Sequence, residues 1–294
     1  MTALVRTSFR TLLEHHRPLV CPSAHDALSA RLIELAGFSA IAVGGMSMLA
    51  SQQALPDIGL AALADMVDGA RCIMRGTSLP FGMDADDGFG DAKSVVRTAQ
   101  AFAALGAGQL VLEDQLRVNK KPSDMQALEV IPIAAMQQKL GAAIHGRGGA
   151  DLIIIARTDS FASEGIGNAL RRAEAYLAAG ADGIFIAGLP DLETLRRAGA
   201  ALRGAVHVTV VTERHMANWA EPAELYDMGF VQVAFPNLLI SRVAEALRTG
   251  LADLTEIAAG RRRQNEVPNF ARAASGLQGL LGLDDWIALD RRYA

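Results

Sequence analysis

The chain has 294 residues, of which 51% are hydrophobic, 20% charged and 5% aromatic, and its formal net charge is -4. This composition can bury a large core, and the scattered basic residues argue against nucleic acid or an anionic membrane as the main partner. Two cysteines are too few for a disulfide framework, and no uncharged apolar stretch could span a bilayer, so we expect a cytoplasmic protein that acts on a small molecule.

Eight short apolar runs recur along the chain, and a helix-like segment follows each of them. The runs are LVC at 19–21, AIAV at 40–43, FGMD at 81–84, QLVLE at 109–113, LIIIAR at 152–157, GIFIA at 183–187, HVTVV at 207–211 and FVQVA at 230–234. Runs rich in Val and Ile without polar alternation are typical of strands covered on both faces. Strand–helix alternation indicates a parallel sheet.

The segments between the runs have the pattern of amphipathic helices. Residues 94–107 and 168–183, for example, carry apolar side chains at intervals of three and four, with glycines where helices should end. We therefore predict an α/β protein, a (β/α)₈ TIM barrel, with a doubly wound open sheet as the alternative. Because no low-complexity linker divides the chain, we expect one domain over 1–294 with a helical extension from about residue 250.

Acidic residues collect at the ends of the predicted strands. The third run continues into DADD at 84–87, the fourth ends in LED at 112–114, the fifth in ARTD at 156–159, and Asp57 follows the second. In a parallel barrel the strand ends meet on one face, where converging carboxylates raise one another's pKa unless a cation lies among them. Oxygen ligands without histidine or cysteine favour Mg²⁺ or Mn²⁺ over zinc. Unrelated helix caps and surface turns are the alternative.

Two further features of these strand ends suggest anion binding. Arg157 closes an apolar strand, where it could stabilise a developing oxyanion or form a structural ion pair with Asp159 or Glu113. The GGMS stretch at 44–47 could offer backbone N–H groups to a substrate carboxylate, although a plain tight turn explains it equally well.

GGMS, LPD, DADDGFG, LEDQ and IIARTD, in this order and spacing, resemble the isocitrate lyase and phosphoenolpyruvate mutase superfamily over roughly residues 18–245. The resemblance implies a barrel whose last helix is exchanged between subunits of a homodimer or homotetramer, with Mg²⁺ and a 2-oxo or 2-hydroxy acid substrate. It implies these roles: metal binding by Asp84, Asp86 and Glu113, support from Asp57, carboxylate binding by Gly45, Met46 and Ser47, and oxyanion stabilisation by Arg157.

The chain departs from the better-defined branches of that superfamily. Lyases carry a Lys-Cys-Gly-His signature after the Glu-Asp pair, and here Lys121, Pro122 and Ser123 occupy the Cys, Gly and His positions. Ala187 stands where lyases have a glutamate, and Gln115 where the mutases and phosphonopyruvate hydrolases typically have a lysine. The chain is therefore most similar to the branch of oxaloacetate decarboxylases.

The resemblance implies decarboxylation of oxaloacetate to pyruvate and CO₂ through an enolate. The proton would come from Lys120, Lys121 or water, although a solvated loop is the alternative interpretation for both lysines. Thr212 and Asn237, after the last two strands, are candidates for binding the distal part of the substrate. The alternative functions are a methylisocitrate- or dimethylmalate-type C–C lyase, a phosphonopyruvate-type P–C enzyme and a non-catalytic metal-binding barrel.

Overall fold

The computed structural model describes residues 7–120, 128–203, 207–211, 220–267 and 276–294. The chain divides into two compact units, Met1–Ile240 and Ser241–Ala294. The first unit contains an eight-stranded sheet, which carries the predicted site.

The strands of this sheet coincide with the apolar runs of the sequence to within two residues at either end. They are β1 (Leu19–Pro22), β2 (Ile41–Val43), β3 (Phe81–Asp84), β4 (Gln109–Glu113), β5 (Ile153–Thr158), β6 (Gly183–Ile186), β7 (His207–Val211) and β8 (Gln232–Phe235). Hydrogen-bonded neighbours run parallel in the order β1-β8-β7-β6-β5-β4-β3-β2. The predicted α/β class with a parallel sheet is confirmed.

The two ends of the strand order, β1 and β2, also approach each other. One isolated parallel bridge joins Ser23 to Ala42, and the backbone N–H of Ala24 donates to the carbonyl of Ala42 at 3.0 Å. The strand order is that of a (β/α)₈ barrel, and within the described chain this bridge is the pairing between its first two strands.

Helices α1 to α9 precede, separate or follow the strands, and α10 follows β8. Their bounds are α1 (Phe9–His15), α2 (Ala27–Leu35), α3 (Gly45–Gln53), α4 (Leu63–Ile73), α5 (Ala92–Ala104), α6 (Ile133–Arg147), α7 (Phe161–Ala178), α8 (Leu192–Ala201), α9 (Pro222–Met228) and α10 (Leu238–Ala258).

Local sequence explains where several of these helices begin and end. The Asp91 carboxylate accepts hydrogen bonds from two N–H groups of the first turn of α5. At the start of α8, the Asp191 carboxylate accepts from the N–H of Thr194 at 2.8 Å. Beyond α5 and α7, Gly106 and Gly180 adopt φ values of 78° and 97°, which side-chain-bearing residues rarely tolerate.

Strand β5 shows why the apolar runs lack polar alternation. Ile153 and Ile155 pack into a cluster with β1 residues, whereas Ile154 and Ala156 pack into the larger core that includes the surrounding helices. Both faces of the strand are therefore buried, and each face requires apolar side chains.

Helix α1 lies against the N-terminal ends of the strands. A Cβ on Gly108, the residue before β4, would stand 2.6 Å from Cβ of Phe9, so only glycine permits this approach. Arg10 reaches Asp151 and Asp182, which precede β5 and β6, at 3.2 and 2.8 Å. This edge of the sheet is thereby occupied, and the carboxyl ends of the strands form the opposite edge.

The described part of the second unit includes most of α10, a helical turn at residues 276–280 and α11 (Leu283–Tyr293). Leu247, Leu251 and Leu254 are 61%, 61% and 58% exposed. Their spacing of four and three residues places them on one face of α10, which forms an exposed apolar stripe. Within the described chain, no helix combines the length and apolarity that a membrane span requires.

Candidate active site

Three neighbouring strands bring the predicted site residues to one edge of the sheet. Asp84 closes β3, Glu113 closes β4, and Arg157 is the penultimate residue of β5. The register pairs Glu113 with Arg157 across β4 and β5. Because the carboxyl ends of parallel strands share an edge, side chains distant in sequence become neighbours here.

Asp84, Asp86 and Glu113 form an acidic cluster, in which one carboxylate oxygen from each lies within 4.8 Å of the others. Asp86 reaches the cluster because the chain turns sharply after β3. Its φ is +47°, and its N–H donates to Oδ1 of Asp84 at 3.3 Å. Its carbonyl accepts from the N–H of Glu113 at 2.8 Å, which joins the turn to β4.

The amine of Lys120 lies inside this cluster. Its Nζ hydrogen-bonds Oδ1 of Asp86 and stands 2.9 Å from Oδ1 of Asp57 and 3.3 Å from Oε1 of Glu113. Burial opposes the charge on Lys120, but Glu113, Asp86 and Asp57 outweigh it and raise the pKa of the amine. The lysine is only 8% exposed, so the interpretation as a solvated loop residue is wrong for Lys120.

Arg157 is the second cation of the site. Its Nη2 donates to Oδ1 of Asp159 at 2.8 Å, and its Nη1 lies 3.2 Å from Oε2 of Glu113 and 3.7 Å from Oδ2 of Asp84. The guanidinium also lies over the ring of Phe185, 5.3 Å from its centroid. Both ion pairs considered from the sequence are present, and they hold the guanidinium beside the acidic cluster.

The charges of the site do not balance. Asp57, Asp159 and the acidic cluster supply five carboxylates. Against them stand the cations of Lys120 and Arg157, with Arg117 at 3.8 Å from Asp86 as a third. Burial raises the pKa of Asp86 to about 7 despite Lys120, and repulsion from Glu113 and Asp84 contributes. Burial likewise raises the pKa of Asp84. Protonation or an additional cation would relieve this excess of negative charge.

The N-terminus of α3 borders the cluster. The first residue of the helix is Gly45, and a Cβ there would lie 3.6 Å from Oδ2 of Asp57 and 3.7 Å from Oδ1 of Asp86. The N-cap, Gly44, provides no capping side chain, and the buried hydroxyl of Ser47 lies 3.3 Å from that of Ser23. Met46 is 43% exposed.

The fourth residue of DADD has a different environment from Asp84 and Asp86. Asp87 Oδ1 accepts from Arg117 at 2.9 Å, and Oδ2 accepts from Lys139 of α6 at 2.9 Å. Arg117 also bonds the carbonyls of Gly59 and Ala61 in the loop before α4. Asp87 therefore anchors the segment after β4, and its two oxygens are neutralised by Arg117 and Lys139.

Three predicted residues remain, and these are Lys121, Thr212 and Asn237. Lys121 and Thr212 lie outside the described residues. Asn237 is half-buried between β8 and α10, and its substrate role stays a prediction.

Sequence reasoning missed a polar network behind Arg157. Asp114, Tyr176 and Arg172 are buried and hydrogen-bonded to one another, although Tyr176 and Arg172 belong to the outer helix α7. In the sequence, the position of Asp114 directly after Glu113 in the LED motif was the signal that could have indicated a role for it. Nothing near Tyr176 in the sequence indicates its partner, which is 62 positions away.

The comparisons with known proteins agree with this geometry. The family model for phosphoenolpyruvate phosphomutase matches residues 9–255. The chain is 32% identical to a chloroplastic carboxyvinyl-carboxyphosphonate phosphorylmutase of Arabidopsis thaliana, covering 100% of this chain and 86% of that protein. It is 34% identical to 2,3-dimethylmalate lyase of Eubacterium barkeri (81% and 82% covered) and 31% identical to 2-methylisocitrate lyase of Bacillus subtilis (97% and 92% covered).

Solved structures give the same result. Oxaloacetate acetylhydrolase in complex with 3,3-difluorooxalacetate superposes with a TM-score of 0.85 at 27% identity, covering 97% of this chain and 96% of that one. Phosphonopyruvate hydrolase in complex with oxalate and Mg²⁺ gives a TM-score of 0.81 at 27% identity, covering 97% of each. The resemblance found in the sequence is thus confirmed, and the chain belongs to the phosphoenolpyruvate mutase/isocitrate lyase superfamily.

Proposed function

We propose that this protein is a Mg²⁺-dependent lyase or decarboxylase that cleaves a carbon–carbon bond of a 2-oxo or 2-hydroxy dicarboxylate through an enolate. The observation that carries the proposal is the acidic cluster with the guanidinium of Arg157 beside it. Relatives named as lyases of dimethylmalate and methylisocitrate support the reaction class.

The residues present fit a hard divalent cation. The three carboxylates offer only oxygen. Both oxygens of Glu113 are buried, and in the described chain they face the cations of Lys120 and Arg157 at 3.3 and 3.2 Å without a hydrogen bond of normal geometry. Asp84, Asp86 and Glu113 would hold Mg²⁺, with Mn²⁺ as the substitute. When bound, the ion supplies Lewis-acid polarisation of the substrate's oxygens. The phosphonopyruvate hydrolase complex with oxalate and Mg²⁺ supports this choice.

Arg157 and the start of α3 would bind and stabilise the negatively charged substrate. The fixed guanidinium supplies positive charge where an enolate oxygen develops, and no reorganisation is needed because Asp159 and Glu113 already hold it. Backbone N–H groups of Gly45, Met46 and Ser47 would bind the substrate carboxylate at the positive end of the helix.

Lys120 is our choice for the proton donor. Its raised pKa keeps the amine protonated, so it can give a proton only to a strong base, and the carbon of an enolate is such a base. Asp57 would position the amine, from which it is 2.9 Å away. Lys121, outside the described residues, and water are the other donors to test.

Oxaloacetate is the proposed substrate, with pyruvate and CO₂ as products. The chain has Lys121 at the position of the lyase cysteine and Ala187 at that of the lyase glutamate, and decarboxylation needs an electron sink more than a thiol acid. The superposition on oxaloacetate acetylhydrolase, whose complex with its product oxalate is also known, supports a substrate of this size.

Incubation with Mg²⁺ and ¹³C-labelled oxaloacetate, followed by NMR, tests this function. We expect pyruvate to form faster than with Mg²⁺ alone, and Glu113→Gln to return the rate to that background. Oxalate and acetate would instead indicate hydrolysis, and the absence of any product above background would refute turnover of oxaloacetate.

A C–C lyase acting on a substituted malate is the second candidate, favoured by the 34% identity to dimethylmalate lyase. A panel of 2,3-dimethylmalate, 2-methylisocitrate and phosphonopyruvate, assayed for 2-oxo acid or phosphate release, separates it from the first candidate and from a P–C enzyme. A non-catalytic barrel would bind Mg²⁺ and oxalate but turn over none of these compounds.

We also propose a homodimer or homotetramer in which the C-terminal helix is exchanged. The exposed apolar stripe of α10 supports this, because a stripe of this kind is typical of a surface covered by another subunit. Light scattering of the full chain should give two or four times 31.1 kDa, and Leu251→Glu should lower the value.

A further inference from the structure

We infer that Tyr176 is a positioning residue that fixes Arg157 through Asp114. The inference rests on the proposed function, in which Arg157 faces the reacting oxygen. The hydroxyl of Tyr176 donates to Oδ2 of Asp114 at 2.7 Å, and both residues are fully buried.

Asp114 fixes both ends of the segment that carries the guanidinium. Its own N–H donates to the carbonyl of Arg157 at 3.1 Å, and its Oδ1 accepts from the N–H of Asp159 at 3.0 Å. Oδ2 accepts from Thr158 as well, at 2.7 Å. The side chain and backbone of Asp114 thus hydrogen-bond three consecutive residues, 157–159, at the end of β5.

Asp159 connects Asp114 to the guanidinium of Arg157. Its Oδ1 accepts from Nη2 of Arg157 at 2.8 Å, while Oδ2 is buried and has no hydrogen-bond donor within the described chain. The N–H of Asp159 bonded to Asp114 therefore sets where the carboxylate stands. A shift of Asp114 would move Asp159 and, with it, the guanidinium 3.2 Å from Glu113.

Tyr176 and Arg172 make a buried carboxylate at position 114 tolerable. A buried carboxylate needs donors, and the hydroxyl of Tyr176 supplies one from helix α7. Arg172 donates to that hydroxyl at 3.1 Å and is itself held by Glu164 through two bonds of 2.9 and 2.8 Å. Helix α7 thereby supports the end of β5 from outside the cluster.

The same network includes the backbone of Ile131, in the described segment that precedes α6. The N–H of Ile131 donates to the carbonyl of Asp114 at 2.8 Å, and the carbonyl of Ile131 accepts from Arg172 at 2.9 Å. One group of buried side chains thus orients the oxyanion-stabilising arginine and anchors one end of the segment that follows β4.

Tyr176→Phe tests the inference, because it removes one hydroxyl and keeps the ring. With Mg²⁺ at saturation, we expect kcat on oxaloacetate and the affinity for oxalate, the probe of the enolate position, each to fall about tenfold, the effect of losing one hydrogen bond to a charged group. KM should change little, and the Kd for Mg²⁺, measured by calorimetry, should stay within about twofold of the wild-type value. Tyr226→Phe, outside the network, should behave as wild type.

A double-mutant cycle with Asp159→Asn separates positioning from simple stability. If Tyr176 acts through Asp159, the double variant should be no worse than Asp159→Asn alone. Additive losses, or unchanged oxalate affinity with only a lower Tm, would overturn the inference. Thr158→Val, which removes a second short hydrogen bond to the same oxygen, should reproduce the effect and provides the measurement if Tyr176→Phe does not fold. Failure of the wild type itself to bind oxalate would instead refute the proposed function.

Discussion

Nζ of Lys120 lies 3.3 Å from Oε1 of Glu113, inside the group of carboxylates proposed to hold Mg²⁺. The ammonium and a bound Mg²⁺ would therefore compete for the same oxygens. Lys120→Met should tighten Mg²⁺ binding, roughly tenfold, because a positive charge leaves the site, while turnover of oxaloacetate falls because the proton donor is lost. Titration calorimetry and the NMR assay measure the two effects.

Lys93→Met is the matched control for this change, because the Lys93 side chain is 89% exposed on α5. It should leave both quantities at the wild-type value. Equal or weaker Mg²⁺ binding by Lys120→Met would contradict the competition.

Replacement by asparagine should affect different properties at Asp86 and at Asp87. Asp86→Asn removes a carboxylate from the acidic cluster, so it should weaken Mg²⁺ binding about tenfold or more and abolish turnover. Asp87→Asn should retain Mg²⁺ but lower the Tm, because it breaks ion pairs with Arg117 and Lys139. Calorimetry measures the Mg²⁺ affinity of the two variants, and thermal unfolding measures their Tm. Treatment of the wild type with EDTA should reproduce the loss of turnover seen in Asp86→Asn. Loss of Mg²⁺ affinity in Asp87→Asn alone would mean that the cluster is wrongly assigned.

Arg157→Lys should lower kcat about 100- to 1000-fold, the usual cost of removing one preorganised oxyanion donor. The charge is kept, so Mg²⁺ affinity should change little, but the planar pair of N–H donors is lost. Steady-state kinetics with saturating Mg²⁺ measure the effect. Arg171→Lys is the control, because Arg171 lies on the exposed side of α7, and it should have wild-type kinetics. A kcat of Arg157→Lys similar to that of this control would show that Arg157 does not stabilise the oxyanion.

Asp182 should contribute stability that depends on pH. Burial opposes its charge, but the N–H of Ile154 and the guanidinium groups of Arg10 and Arg147 outweigh burial and lower the pKa of its carboxyl. A lowered native pKa means that the contribution is complete above the unfolded value of about 3.9 and is lost as pH falls through the native value.

Asp182→Asn should therefore lower the Tm by a few degrees at pH 7, since losing hydrogen bonds to a charged group costs on the order of 1.5–3 kcal/mol. The difference between the two proteins should shrink as the pH falls below about 4. Thermal unfolding at several pH values measures it, and Asp68→Asn, on the surface of α4, is the control. A difference that does not vary with pH would contradict the role of the ionised carboxylate.

Much of the site could be predicted from the sequence because its residues stand at strand ends. The apolar runs fix where β3, β4 and β5 stop, and parallel strands stop at the same edge. Asp84, Glu113 and Arg157 follow from this rule alone. The recognisable motifs then imply the family.

The sequence by itself determined the strand–helix alternation, the order of the acidic groups and the absence of the lyase cysteine, since these depend on local patterns. Only the tertiary structure decided that Lys120 enters the acidic cluster while Asp87 turns away to Arg117 and Lys139. It likewise decided that Tyr176 meets Asp114. Such contacts depend on the path of a loop and the rotation of a helix. Packing between segments that are far apart in the chain sets both, and no periodic pattern in the sequence indicates them.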